Sequence, residues 1–258
     1  MARVMVTGSS GGLGLLSARH LTEKGHDVTL HARSQARADD ARRALPLAEH
    51  VVIGDLATIA GARDVAEQAN AHGSYDAVIH NAAVGSRRAA RAETADGLEE
   101  HFVVNVLAAY LLTCLVGRPE RLVYLSSGMH LGASHDLADP QWLSRRWDGG
   151  AAYSESKLLD VVLAFAVARL WPDVCSNAVE PGWVPTRMGG AGAPDDLELG
   201  ADTQAWLAAG DEPEALVSAR YFFHRSQRNA DPACRDEALQ DRLLAYCREL
   251  TGVALLSY

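Results

Sequence analysis

The chain has 258 residues, 48% apolar and 22% charged, which suits one large globular domain and excludes a disordered or fibrous one. Its net charge of −9 excludes the broad basic face that a nucleic-acid partner requires. The four cysteines (Cys114, Cys175, Cys234, Cys247) form no CxxC pair and no zinc-ligand spacing, so they read as reduced thiols and no metal is expected.

The predicted elements alternate. "RVMVT" (3–7) reads as a strand ending at glycines, and "LGLLSARHLTEKG" (13–25) has helical apolar spacing with a glycine stop. "DVTLHA" (27–32) is a second strand, "SQARADDARRAL" a polar helix closed before Pro46, and "HVVIG" (50–54) a third strand. A helix over 57–73 and a strand over 75–82 follow. A long helix is expected over about 96–117. "RLVYLSS" (121–127) is the fifth strand, 151–171 a helix, and "VCSNAVEPG" (174–182) the sixth strand. Residues 187–215, rich in Gly, Ala, Asp and Pro, read as a mobile loop or lid over a site. "SARYFF" (218–223) supplies a last strand and 236–250 a final amphipathic helix.

This rhythm builds βαβ units. The fold class expected is α/β: a single-domain Rossmann fold over 1–258, with a doubly wound, mostly parallel sheet of about seven strands flanked by helices. Residues 1–120 would mainly bind cofactor, and 121–258 would carry the catalytic and substrate-binding part. The most apolar stretch, 102–117, is shorter than the ~20 residues of a spanning helix and is interrupted by Asn105. With no apolar leader before the first strand, the expectation is a cytoplasmic protein without a membrane span.

"TGSSGGLG" (7–14) sits at the first strand-to-helix turn. Gly8, Ser10, Gly12, Leu13 and Gly14 would there leave room for a pyrophosphate at a helix N-terminus. The GxGxxG fingerprint is only partly met, because Ser17 stands at its third glycine. The second strand ends "HARS": Ala32 stands where an acid would hold the ribose of NAD, and Arg33 follows. That favours NADP(H) over NAD(H), although an arginine on a surface is common. Asp55 could accept from an adenine amino group, and "NAA" (Asn81, Ala82, Ala83) is small enough for a cofactor to lie close. Tyr153 and Lys157 in "YSESK" are four apart and share one face of a helix, although a polar first turn is the plainer reading of that pentapeptide. Lysine occurs only twice, against 22 arginines, so a lysine at 157 suggests a chemical need.

"TGSSGGLG", "DL" (Asp55, Leu56), "NAA", Asn105, "LSS" (125–127), "YSESK" and "PGWVPT" (181–186) occur in that order. Together they resemble the classical short-chain dehydrogenase/reductase family over roughly residues 3–188. The region 126–157 is moderately similar to the subgroup around retinol dehydrogenases and the WW-domain-containing oxidoreductase. The resemblance implies a hydride transfer between NADP(H) and a small carbonyl/alcohol substrate, with Tyr153 as general acid/base. It implies that Lys157 favours the Tyr153 phenolate and holds the nicotinamide ribose. Ser127, with Ser126 as its competitor, would bind the substrate oxygen, and Asn105 would anchor a water in a proton relay. Pro181, Gly182, Val184 and Thr186 would line the nicotinamide end. It also implies a homodimer or homotetramer, built through the helices at 96–117 and 153–170. A catalytically silent dinucleotide sensor or scaffold, and a dehydrating or epimerising enzyme on the same fold, are the alternatives. The 26-position step from Ser127 to Tyr153 must loop out and return for the site to assemble.

Overall fold

The computed structural model describes residues 1–256. Four short parallel strands, β1 (Arg3–Val6), β2 (Asp27–Ala32), β3 (His50–Ile53) and β4 (Ala77–His80), form one half of a sheet. They are followed by β5 (Arg121–Leu125), β6 (Cys175–Glu180), β7 (Tyr221–Phe223) and β8 (Ser226–Arg228). The order is β3-β2-β1-β4-β5-β6-β7-β8, parallel throughout except for the antiparallel β7–β8 pair. The eighth strand exceeds the seven expected. Its residues are polar and all exposed, so it leaves no apolar signal.

The central strands are buried on both faces, as parallel strands between helices must be. Met5, Val78, Leu122 and Tyr124 point into one core with α3 (Ile59–Ala71), α4 (Ala108–Leu115), α5 (Gly149–Leu170) and α7 (Glu237–Thr251). Val4, Val6, Ile79 and Val123 point into the other, with α1 (Gly12–Glu23), α2 (Gln35–Ala44) and α6 (Leu197–Ala209). Side-chain oxygens start most helices: Ser34 caps α2, Thr58 caps α3, Asp148 caps α5, Asp196 caps α6 and Asp236 caps α7.

Three expectations change. The loop over 187–215 is loop only in part: Leu197–Ala209 is helical and docks on α1. Ser17 Oγ donates to Ala201 O (2.9 Å) and accepts from Gln204 Nε2 (2.5 Å). The helix over 96–117 starts late, because Asp96 and Gly97 form a turn in which Asp96 accepts from the Ile59 N–H (2.7 Å) and Gly97 donates to Thr94 O. It then opens with a wide π-type turn, Phe102–Leu107, before α4. Finally, Val103, Leu107, Leu111, Leu158, Val161, Val162 and Phe165 are all buried within the one chain. Their apolarity therefore gives no support to assembly through these helices. No helix among the described residues is long and apolar enough to cross a membrane.

Candidate active site

The strand order reverses direction between β1 and β4, and the C-terminal ends of those two strands open into a cleft of about 730 Å³. Gly8, Ser10, Gly12, Leu13, Gly14, Arg33, Asp55, Leu56, Asn81, Ala82, Ala83, Tyr153, Lys157, Pro181 and Thr186 all line it. A Cβ on Gly14 would meet Asn81 Nδ2 at 2.4 Å and Gly8 O at 2.9 Å. Gly8 has φ +63°, and a Cβ there would stand 2.8 Å from Ala82 Cα. The turn is therefore packed to the backbone, while the first turn of α1 carries no side-chain cap on its N–H groups. Uncapped N–H groups at a helix N-terminus, facing an open cleft, fit a pyrophosphate.

The turn is latched from below. Gly8 N–H donates to His31 Nδ1 (2.9 Å), and His31 Nε2 donates to Gly54 O (2.9 Å), which fixes a neutral imidazole between the ends of β1, β2 and β3. Thr7 Oγ1 accepts from the backbone N–H groups of Asn81 (2.9 Å) and Ala82 (3.0 Å), while Asn81 Nδ2 donates to Thr7 O (2.9 Å). Arg33 stands exposed at the rim and makes no hydrogen bond or ion pair among the described residues. Arg37, one turn into α2, lines the same end and donates to Ser10 O (3.2 Å). Its spacing of four from Arg33 was the available sequence signal for a second guanidinium there. His31 had none, because its role depends on three strand ends meeting.

At the other end, α5 presents Tyr153 half-buried and Lys157 buried, with the ammonium 5.9 Å from the Tyr153 ring centroid. Lys157 Nζ donates to Leu125 O and to Asp160 Oδ2, both at 2.7 Å. An ammonium has three N–H groups, so one remains for the cleft that Lys157 lines. Ser126 is buried and its hydroxyl donates to Lys157 O (2.7 Å). Ser127 is half-buried and accepts only the Met129 N–H (3.3 Å), so its own proton is uncommitted. Ser126 is among the residues lining the cleft and Ser127 is not.

Asn105 sits in the π-type turn, away from the cleft surface. Its Oδ1 accepts from Val84 N–H (2.8 Å), and its Nδ2 donates to Val84 O (3.2 Å) and Ser156 Oγ (2.8 Å). It thus clamps the cleft wall at Val84 to the helix that carries Tyr153. Val184 is buried, and Gly182 turns at φ +86° against Asp195; neither lines the cleft. Thr186 stands over Gly12, and its Oγ1 accepts from Gly189 N–H (3.1 Å). Of the aromatic and sulfur residues near this end, Met188 lines the cleft and Trp183 is exposed. Trp206 is buried against Phe222.

The 128–152 excursion does return. Arg145 pairs with both carboxylate oxygens of Glu155 (2.8 and 2.5 Å) and stacks over Trp142 (3.6 Å). Trp147 Nε1 donates to Arg88 O (3.0 Å), and Gly132 N–H donates to Asp231 (2.9 Å). His130, buried, donates from Nδ1 to Ser127 O (2.8 Å) and accepts from Asp231 N–H at Nε2 (3.1 Å). Glu180 accepts from Tyr221 OH (3.0 Å).

Burial holds His31, His80 and His130 below the usual histidine range, with His80 pushed down to about 3. A lowered histidine binds fewer protons folded than unfolded, so its contribution is full above pH 6.5 and is lost as pH falls. His80 alone should lower stability by about 2 kcal/mol between pH 8 and pH 5. Urea unfolding of the parent and of His80→Asn at both pH values measures this, and an equal pH dependence in the two would contradict it.

Residues 2–122 match the family model described as short chain dehydrogenase. The chain is 40% identical to the protein named short-chain dehydrogenase chyC of Penicillium rubens, with 99% of each chain covered. It is 30% identical to retinol dehydrogenase 13 of Homo sapiens, over 97% of this chain and 84% of that one. A crystal structure of an uncharacterised protein from Mycobacterium paratuberculosis matches with a TM-score of 0.83 at 26% identity, covering 99% of this chain and 95% of that one. With a reversal-point cleft, a glycine-packed turn beneath it and full-length relatives of this similarity, the chain belongs to the short-chain dehydrogenase family of oxidoreductases, which bind nicotinamide dinucleotides, and has retinol dehydrogenase-like relatives.

Proposed function

We propose that the protein is an NADP(H)-dependent oxidoreductase that interconverts a small carbonyl and its alcohol, with Tyr153 as general acid/base. The observation that carries this reading is the buried Lys157 ammonium on the same helix face as Tyr153, at the wall of the cleft. A phenol ionises near pH 10, and a cation close by stabilises the phenolate. Bound NADPH supplies the hydride. The chain's own residues hold the reactants and move the proton. Ser126 lines the cleft but its proton is spent on Lys157 O, so Ser127 next to it, whose hydroxyl is uncommitted, would turn in to hold the substrate oxygen, and the free N–H of Lys157 would hold the nicotinamide ribose. Asn105 orders the wall that joins Val84 to α5. The stretch 187–196, which brings Arg187 and Met188 to the cleft, is its movable cover.

The preference for NADP(H) rests on charge. Ala32 leaves the end of β2 without an acid, while Arg33 stands unpartnered at the rim beside Arg37. Arg33→Ala should weaken NADPH binding about tenfold or more and leave NADH binding unchanged. Thermal shift titrations with both nucleotides test it, and an equal loss for both would remove the 2′-phosphate assignment. NADPH consumption across a broad panel of ketones and aldehydes tests the activity. Tight NADPH binding without turnover on any of them would favour a silent dinucleotide sensor, and product analysis would expose dehydration or epimerisation.

A further inference from the structure

Asp160 follows Lys157 by three residues on α5 and is 3% exposed. Its carboxylate takes one Lys157 N–H at 2.7 Å, and both side chains of the pair are almost wholly buried. Nothing in the proposed chemistry calls on it. Nor does hydrogen bonding alone explain a carboxylate there, since an amide would accept the same bond without burying a second charge. Two charges buried together stabilise a fold poorly compared with apolar groups of the same size.

We infer that Asp160 is a positioning residue that aims Lys157 at the cleft and, by its negative charge, sets how strongly the ammonium favours the Tyr153 phenolate, an inference that rests on the acid/base reading of Tyr153. Leu125 O and Asp160 take two of the three ammonium N–H groups, so the third has one direction left. With the carboxylate ionised, the pair offers Tyr153 less net positive charge than the ammonium alone would.

The surroundings leave this pair in control. On β5, Tyr124 is coupled to Asp160, and burial raises its phenol far above the ordinary range. Thr113 on α4 bridges Tyr124 OH (2.7 Å) to His80 Nε2 of β4 (3.2 Å). His80 is pushed down to about 3 and Cys114 of α4 up to about 12, so neither carries charge near neutrality. Around Tyr153 stand His101, its ring centroid 6.4 Å away and its Nδ1 on Glu99 (2.7 Å), and Tyr221, which burial and then Glu180 raise. Burial also pushes Asp160 up, to about 6, which still leaves it mostly ionised at pH 7.5.

The test is the ionisation of Tyr153 followed by ¹³Cζ-tyrosine nuclear magnetic resonance on the protein without cofactor, the resonance being assigned with Tyr153→Phe. Asp160→Asn keeps the hydrogen bond and removes the charge. It should lower the Tyr153 inflection by about one pH unit, and Asp160→Glu should restore it. The pH profile of NADPH-dependent reduction should move down with it. An inflection in Asp160→Asn that coincides with the parent's overturns the inference. Should that variant fail to fold, the parent protein decides. Its Tyr153 resonance should respond a second time near the pH at which Asp160 takes up a proton, and a single response overturns the inference. Turnover of Tyr153→Phe separates the two readings. Activity retained there removes the acid/base assignment itself. Activity lost, with no shift in Asp160→Asn, removes only the role of Asp160.

Discussion

Tyr153→Phe is expected to bind NADPH as tightly as the parent protein and to lose turnover by about 10³-fold. The phenol oxygen makes no hydrogen bond among the described residues, so its removal leaves no buried donor or acceptor unpaired. The ring contact to His101 survives in phenylalanine, and the helix and the glycine turn are untouched. What disappears is, among the described residues, the one phenol that lines the cleft next to Lys157. Stopped-flow turnover and fluorescence titration with NADPH, made on the same preparation, separate the two quantities. Turnover within tenfold of the parent would show that another group delivers the proton.

Lys157→Ala should be damaging in a different way, to stability as well as to rate. It leaves the Asp160 carboxylate buried without a counter-charge, which costs about 3–5 kcal/mol. The pH dependence has a definite sign. Burial already raises the Asp160 carboxyl, to about 6, while Lys157 pulls it down, so removing Lys157 raises it further. A carboxyl whose folded value lies above its unfolded value near 3.9 binds its proton more readily in the folded state. The penalty is therefore complete at high pH and shrinks as pH falls toward 4. Relative to the parent, Lys157→Ala should be most destabilised at pH 8 and clearly less so at pH 5. Adding Asp160→Asn should return stability without returning turnover. Urea unfolding of parent, single and double variants at both pH values checks this. A penalty of equal size at both would place the cost in packing rather than in the stranded charge.

The sheet was readable because its central strands are buried on both faces and therefore appear, after a leading arginine, as continuous apolar runs such as "VMV" and "LVYL". α6 was not, for the opposite reason. Its buried face is Gly200, Ala201, Thr203, Gln204 and Ala208 around a single Trp206 and Leu207, small or polar residues that imitate a loop. Tyr153 and Lys157 were visible as a pair from their spacing, and the structure puts both on the cleft. Asp160 was hidden inside "LLDVVL", where an isolated acid reads as an interruption of a core helix rather than as a member of a site. Asn105 was visible as a polar residue in an apolar stretch, but the π-type turn that lets it reach Val84 and Ser156 belongs to three-dimensional packing. Glu155 looked like helix-start polarity. It is the partner of Arg145 that returns the excursion to the site, a contact across ten residues that no local pattern encodes.

Ser17 changes what the incomplete three-glycine fingerprint means. The third position of that pattern lies beneath the nucleotide turn, where this chain has a hydroxyl joined to Ala201 and Gln204 of α6. A census of nucleotide-binding chains that demands all three glycines would pass over this one, although its cleft has the two that face the ligand space. The third letter of the pattern records the neighbour of α1, not the ligand, and it can vary with that neighbour while the cleft stays the same.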